Sequence, residues 1–131
     1  MTQIEVKSAK RNELINVTGS IQAATKVSGI KKGLCIATVP HTTAGITINE
    51  SADPAVRNDL IDTLNRLIPK DPAYEHAEGN SDSHVKSTLV GVSVTIPIEE
   101  GRLVLGTWQA VYFCEFDGPR NRHIAIKFIE G

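Results

Sequence analysis

From Asn80 to Thr88 the chain reads Asn-Ser-Asp-Ser-His-Val-Lys-Ser-Thr. An acid, a base, an amine and several hydroxyls stand there more densely than a surface helix start requires. Two further polar islands interrupt apolar runs, Pro40-His-Thr-Thr-Ala-Gly45 and Gly106-Thr-Trp-Gln109. Three such islands in strand-like sequence suggest one site assembled from separate loops.

His41, His76 and His84 fall on polar or irregular segments. Neutral imidazole is a common ligand of zinc-like ions, so the three could share a divalent metal. Asp82 and Glu50 could complete the ligand set or orient it. No CxxC or HExxH spacing supports this, so ordinary hydrogen-bonded histidines remain the competing reading. The entry to the helix at Ser81 has another use. Free N–H groups and the positive end of the helix dipole favour an anion, and the hydroxyls of Ser81 and Ser83 add donors. Lys86 could add charge, while a plain N-cap by Asn80, Ser81 or Asp82 is the simpler alternative. Glu115 shares a strand face with Gln109, Val111 and Phe113. A buried, unpaired carboxylate there would have a raised pKa and could serve as a general acid or base; an ion pair is the alternative. Trp108 reads as core on a central strand, with a platform for a ligand as the other use.

The elements that must position these groups follow from periodicity and breakers. Short strands flank the turn Lys10-Arg-Asn12. Thr18 to Ser28 reads as a helix capped by Thr18, with Ile21, Ala24 and Val27 inside and Gly29 at its end. Strands follow at Leu34–Val39 and Ile46–Ile48. Asp53 and Pro54 start a second helix with the apolar stripe Val56, Leu60, Leu64, Leu67, widened by Ile61 and Ile68. A polar stretch from Lys70 to Gly79 precedes a short helix, Ser81 to Leu89, whose Val85 and Leu89 should face inward. Alternation at Val92, Val94, Ile96 and Ile98 gives a strand that Pro97 places at an edge or bulge. Glu99-Glu-Gly-Arg102 is a hairpin turn. Leu103 to Phe116 reads as a central strand and His123 to Ile129 as the last. The sum is a single α+β domain over residues 1–131, a compact antiparallel or mixed β-sandwich or barrel-like sheet with two or three helices.

Composition narrows the function classes. The chain has 14 Lys and Arg against 15 Asp and Glu, a net charge of −1, so it carries no footprint for nucleic acid or an anionic membrane. Arg120, Arg122 and His123 read as a solvated basic turn. No apolar run approaches about 18 residues, so no transmembrane helix is expected. Cys35 and Cys114 lie in apolar runs and read as buried thiols of a cytoplasmic protein. Walker, Rossmann, EF-hand and nucleophile-elbow patterns are missing.

The runs Pro40 to Glu50, Gly79 to Ser87, Gly101-Arg-Leu-Val-Leu-Gly-Thr-Trp-Gln109 and Cys114-Glu-Phe-Asp-Gly-Pro-Arg120 resemble the YjbQ-like family, also labelled the secondary thiamine-phosphate synthase family. The resemblance spans essentially the whole chain. It implies a homotrimer and a small, phosphorylated substrate. It places the site at His41-Thr42-Thr43, at Tyr74 and His76, and at His84, Lys86 and Ser87, with Arg102, Trp108 and Gln109 in the other motif. The implied reaction joins a pyrimidine diphosphate to a thiazole phosphate and releases diphosphate. His84, Lys86 and Glu115 are then the expected chemical groups. Thr42, Thr43, Tyr74, Ser81, Ser83, Ser87, Arg102, Trp108 and Gln109 would bind substrate, and His41, His76, His84, Asp82 and Glu50 would hold Zn or Mg. A metal-dependent hydrolase or lyase and a non-catalytic binding trimer stay open beside it.

Overall fold

The computed structural model describes residues 1–131. Eight strands and three helices follow in the order β1 (Thr2–Lys7), β2 (Glu13–Asn16), α1 (Thr18–Ser28), β3 (Lys32–Thr38), β4 (Ala44–Glu50), α2 (Pro54–Leu67), α3 (Ser81–Val90), β5 (Ser93–Glu99), β6 (Arg102–Leu103), β7 (Gln109–Glu115) and β8 (Asn121–Glu130). A five-stranded antiparallel sheet has the order β1-β8-β3-β5-β6, and a three-stranded antiparallel sheet the order β2-β7-β4.

Alternation decides which side chains meet between the sheets. Cys35 and Ala37 of β3, Ile96 and Ile98 of β5, Ile124 and Ile126 of β8 face Ile46, Val111 and Phe113 across the main core. The other face of β7, with Ala110, Tyr112 and Cys114, joins Leu14 and Phe116 under Leu60, Ile61 and Leu64 of α2. β7 is therefore apolar on both faces, but the strand expected over Leu103 to Phe116 is broken: Arg102–Leu103 pair in the other sheet, residues 104–108 are loop, and β7 starts at Gln109. Asp53 caps α2, its carboxylate accepting from Ala55 N–H at 2.9 Å. The β5–β6 turn takes positive φ at Glu100 and Gly101, 52° and 76°, as a two-residue hairpin of this twist requires.

Several expectations fail, each for a tertiary reason. Val27 is 88% exposed and Leu67 69%, because α1 and α2 each cover a narrower strip than their stripes could. Thr18 does not cap α1; its hydroxyl accepts from Val111 N–H at 2.8 Å and ties the helix to β7. Trp108 lies in the loop before β7 and is 64% exposed, not in the core. The largest reversal is α3. Val85 and Leu89 face outward, and Asp82, Ser83, Lys86 and Ser87 are the buried ones. That helix docks by polar pairing, which hydrophobic periodicity cannot reveal.

Candidate active-site groove

The β3–β4 turn carries His41 to the end of the sandwich where α3 lies against β4. Glycine permits this approach. A Cβ on Gly45 would stand 2.7 Å from the carbonyl oxygen of Gly91, at the end of α3, and Ile46 N–H donates to that same oxygen at 3.0 Å. His41, Thr42 and His84 line two adjoining hollows, of about 360 and 600 Å³, so they share one groove. Thr43, Asn80, Arg120 and Arg122 border the smaller hollow. His84 also meets His76 edge-on, with ring centroids 5.3 Å apart.

His41 is held in one protonation pattern. Its Nε2 accepts from the backbone N–H of His123 at 3.1 Å, so the proton of the neutral ring sits on Nδ1. Burial, then the charges of Arg122 and His123, push its pKa below the usual histidine range. At neutral pH His41 is a neutral donor.

An ion pair forms the floor. Arg122 Nε donates to Glu115 Oε1 at 2.9 Å and its Nη2 to Oε2 and to Thr43 Oγ1, the latter at 2.8 Å. Ser8 Oγ donates to Oε1 at 2.6 Å, and the N–H groups of Phe116 and Asp117 each donate to Oε2 at 3.1 Å. Burial pushes Glu115 up, but the bonds from Arg122, Ser8 and Asp117 N–H and the charge of Arg122 outweigh it and hold the carboxyl below its usual range. Glu115 is thus a fixed carboxylate frame. Arg122 is 5% exposed, which corrects the reading of a solvated basic turn. Strand alternation carried this signal. Arg122 is in phase with Ile124 and Ile126, and Glu115 with Val111 and Phe113, so both charges had to point inward and meet.

Lys86 is similarly absorbed. It is 1% exposed, and Nζ donates to Asn65 Oδ1 at 2.6 Å and to Asn12 Oδ1 and Asp82 Oδ2 at 3.4 Å. Burial lowers its pKa against the pull of Asp82. For Asp82, burial is outweighed by Arg11, which grips both carboxylate oxygens at 3.0 and 3.1 Å, and by Lys86; its pKa is lowered. Ser83 donates to the Phe116 carbonyl, and Ser87 to that of Ala44 at 2.6 Å. Lys86 and Ser83 therefore dock the helix, away from the groove. Ser87 borders the groove with its hydroxyl engaged.

The start of α3 is open. Asn80 makes no side-chain cap. Its Nδ2 donates to Asp117 at 2.9 Å, and its buried Oδ1 has no partner. A third hollow of about 340 Å³ lies here, bordered by Lys70, Tyr74, His76, Gly79, Ser81 and Asp82. The His76–His84 contact links it to the groove.

The remaining expected residues lie elsewhere in the chain. Glu50 pairs with Gln109 at the far end of β4, about 20 Å of strand from Ala44. Ser51 N–H donates to the Trp108 carbonyl at 2.8 Å, and Gln109 Oε1 accepts from Gly106 N–H at 2.7 Å. Arg102 belongs to the β5–β6 hairpin, at the opposite end of β3. The expected metal ligands do not fit an ion within one chain. Nε2 of His41 and both oxygens of Asp82 are already engaged, Glu50 is remote, and no three His, Cys, Asp or Glu groups come together to hold one. Arg11 and Asp117 are groups at or beside the site that sequence reasoning missed, and the sequence reads Asn80 only as a cap. Nothing local distinguishes Arg11 from a surface arginine.

A family model described as UPF0047 protein YjbQ-like matches residues 2–131. The chain belongs to the YjbQ-like UPF0047 family. It is 53% identical to the UPF0047 protein MJ1081 of Methanocaldococcus jannaschii over 95% of this chain and 91% of that protein. It is 46% identical to YugU of Bacillus subtilis, over 96% of each chain. A solved YjbQ/UPF0047 protein from Clostridium acetobutylicum, itself uncharacterized, matches with a TM-score of 0.96 at 45% identity, covering 98% of this chain and 100% of that one. A YbjQ-like protein of unknown function from Sulfolobus solfataricus matches at 0.94 and 32% identity, over 99% and 96%. The fold is thus shared with both solved proteins. Their names carry a family and no reaction.

Proposed function

We propose that this YjbQ-like protein is a small-molecule enzyme working in the groove between His41 and His84, with a slow thiamine-phosphate-forming transfer as its reaction. A thiazole phosphate nitrogen attacks the methylene carbon of a pyrimidine diphosphate. The C–N bond forms, the C–O bond breaks, and diphosphate leaves with the bonding pair. The observation that carries the reading is the uncapped start of α3 beside His76 and His84. Free N–H groups there, with Ser81 and Lys70, would hold diphosphate oxygens. His84 would donate a proton to the leaving group, and the Nδ1–H of His41 would orient the substrate. Tyr74 offers a ring on which a heterocycle can stack.

A hydrolase or lyase reading has its own support. Arg120 and Arg122 are already neutralised by Asp117 and Glu115, which suits a substrate of lower charge. One assay separates the two: product and diphosphate are measured with and without the thiazole substrate. Transfer requires both substrates, and loss of His84 or His41 as Ala should slow it by about 10²-fold or more. Equal rates in the wild type and both variants would refute the transferase reading. Diphosphate release without thiazole would establish hydrolysis.

The proposed assembly is a homotrimer. Leu34 and Ile129, register partners on the outer face of the large sheet, are 37% and 43% exposed, and Leu89 of α3 is 61% exposed. Apolar surface of this kind suits a subunit interface.

A further inference from the structure

The Gly101-Arg102-Leu103 run is not used by the groove, yet it helps form a separate cleft. This cleft, about 390 Å³, lies between the C-terminal end of α1 and the β5–β6 hairpin. Lys26, Lys31 and Arg102 line it with Glu100 as the one acidic lining residue, a formal charge of +2, and Glu99 faces Arg102 across the hairpin. None of the three cations has a carboxylate within 4.0 Å. With a chain net charge of −1, this concentration is local and does not reflect a basic surface. A lysine in the last turn of α1 is ordinary company for the negative end of a helix dipole. That accounts for Lys26 and leaves Lys31 and Arg102 unexplained.

The walls are fixed by hydrogen bonds. Gln22 Nε2 donates to the Gly101 carbonyl at 3.1 Å, and Leu103 N–H donates to Gln22 Oε1 at 3.0 Å. Gly101 N–H donates to the Lys31 carbonyl at 3.0 Å. The Lys31 side chain folds over Gly101: a Cβ on that glycine would lie 3.4 Å from both Cδ and Nζ of Lys31. The Lys31 ammonium thus lies over the hairpin that α1 clamps in place. Three like charges on one rigid cleft repel each other until an anion arrives.

We propose that this cleft binds a small phosphate-bearing anion. The planar guanidinium of Arg102 can take two phosphate oxygens side by side, and Lys26 and Lys31 supply point charges around a multiply charged group. Within one chain the cleft and the groove stand at opposite ends of β3, so this binding is independent of the reaction proposed for the groove.

The test is an NMR titration of the full chain with inorganic diphosphate at constant ionic strength, following backbone amides. Saturable shifts are expected at Gly29, Lys31, Gly101 and Arg102. Lys31→Ala and Arg102→Ala should each weaken that response by about tenfold, the loss expected for one hydrogen bond to a charged group. Arg102→Lys should weaken it as well, because the fork is lost. His84→Ala should leave it intact, which separates this proposal from the one for the groove. No saturable shift at these amides, or a response that survives both alanine variants with the hairpin amides unmoved, would overturn it. So would shifts produced equally by any salt at the same ionic strength.

Discussion

Replacing Arg122 by Leu tests whether the floor of the groove is held by one ion pair. The variant removes two bonds to Glu115 and the donor to Thr43 Oγ1. Ser8 and the N–H groups of Phe116 and Asp117 still reach the carboxylate, but no positive charge does. Breaking a buried pair from one side costs about 3–5 kcal/mol. With three donors retained, about 3 kcal/mol is the expected loss at pH 7. The pH dependence follows from the sign of the Glu115 shift. In the wild type its folded pKa is depressed, so its contribution is present above the unfolded carboxyl value, about 4.3, and is lost as pH falls through the folded value. In the variant burial is no longer offset by Arg122, the folded pKa rises, and protonation at low pH relieves the penalty. Urea denaturation at pH 7 and near pH 4.5 should show the gap between variant and wild type narrowing at the lower pH. The double variant Glu115→Gln with Arg122→Leu should recover part of the loss at pH 7. A cost below about 1 kcal/mol, or a gap independent of pH, would refute the argument.

Nitrogen NMR of His41 should show the neutral Nδ1–H tautomer and a titration below that of an ordinary histidine, moving upward when Arg122 is replaced by Leu. A ring protonated on Nε2 at neutral pH would contradict the hydrogen bond from His123. Lys86→Met should lower stability by about 1–3 kcal/mol, because Asn65 and Asn12 lose their donor, without a separate loss of transfer rate in folded protein. A stable but inactive Lys86→Met protein would return the ammonium to the chemistry. Light scattering at micromolar concentration should report three chains per particle, and a clean monomer would remove the assembly.

The fold was legible where burial is apolar. Alternation along β5 and β8 and the Asp53-Pro54 start of α2 led directly to those elements, because each packs a hydrophobic strip against the rest of the fold. It was illegible in α3. Asp82 and Lys86 could be buried there only because Arg11, Asn12 and Asn65 arrive from distant segments to satisfy them. No local pattern announces such partners. The groove was half legible. His41 and His84 border one groove and His76 meets His84, while Arg102, Trp108, Gln109 and Glu50 lie at the other end of the sandwich. The resemblance grouped those motifs by family, and a single chain separates them by the length of a strand.

The central claim is that ligand binds between the β3–β4 turn and the open start of α3. Amide shift mapping with the pyrimidine diphosphate tests it most directly. Saturable shifts are expected at residues 41–43 and 76–84, abolished by His84→Ala in a protein that stays folded. Shifts confined to the loop before β7 or to the basic cleft, with residues 41–43 and 76–84 unmoved, would contradict it.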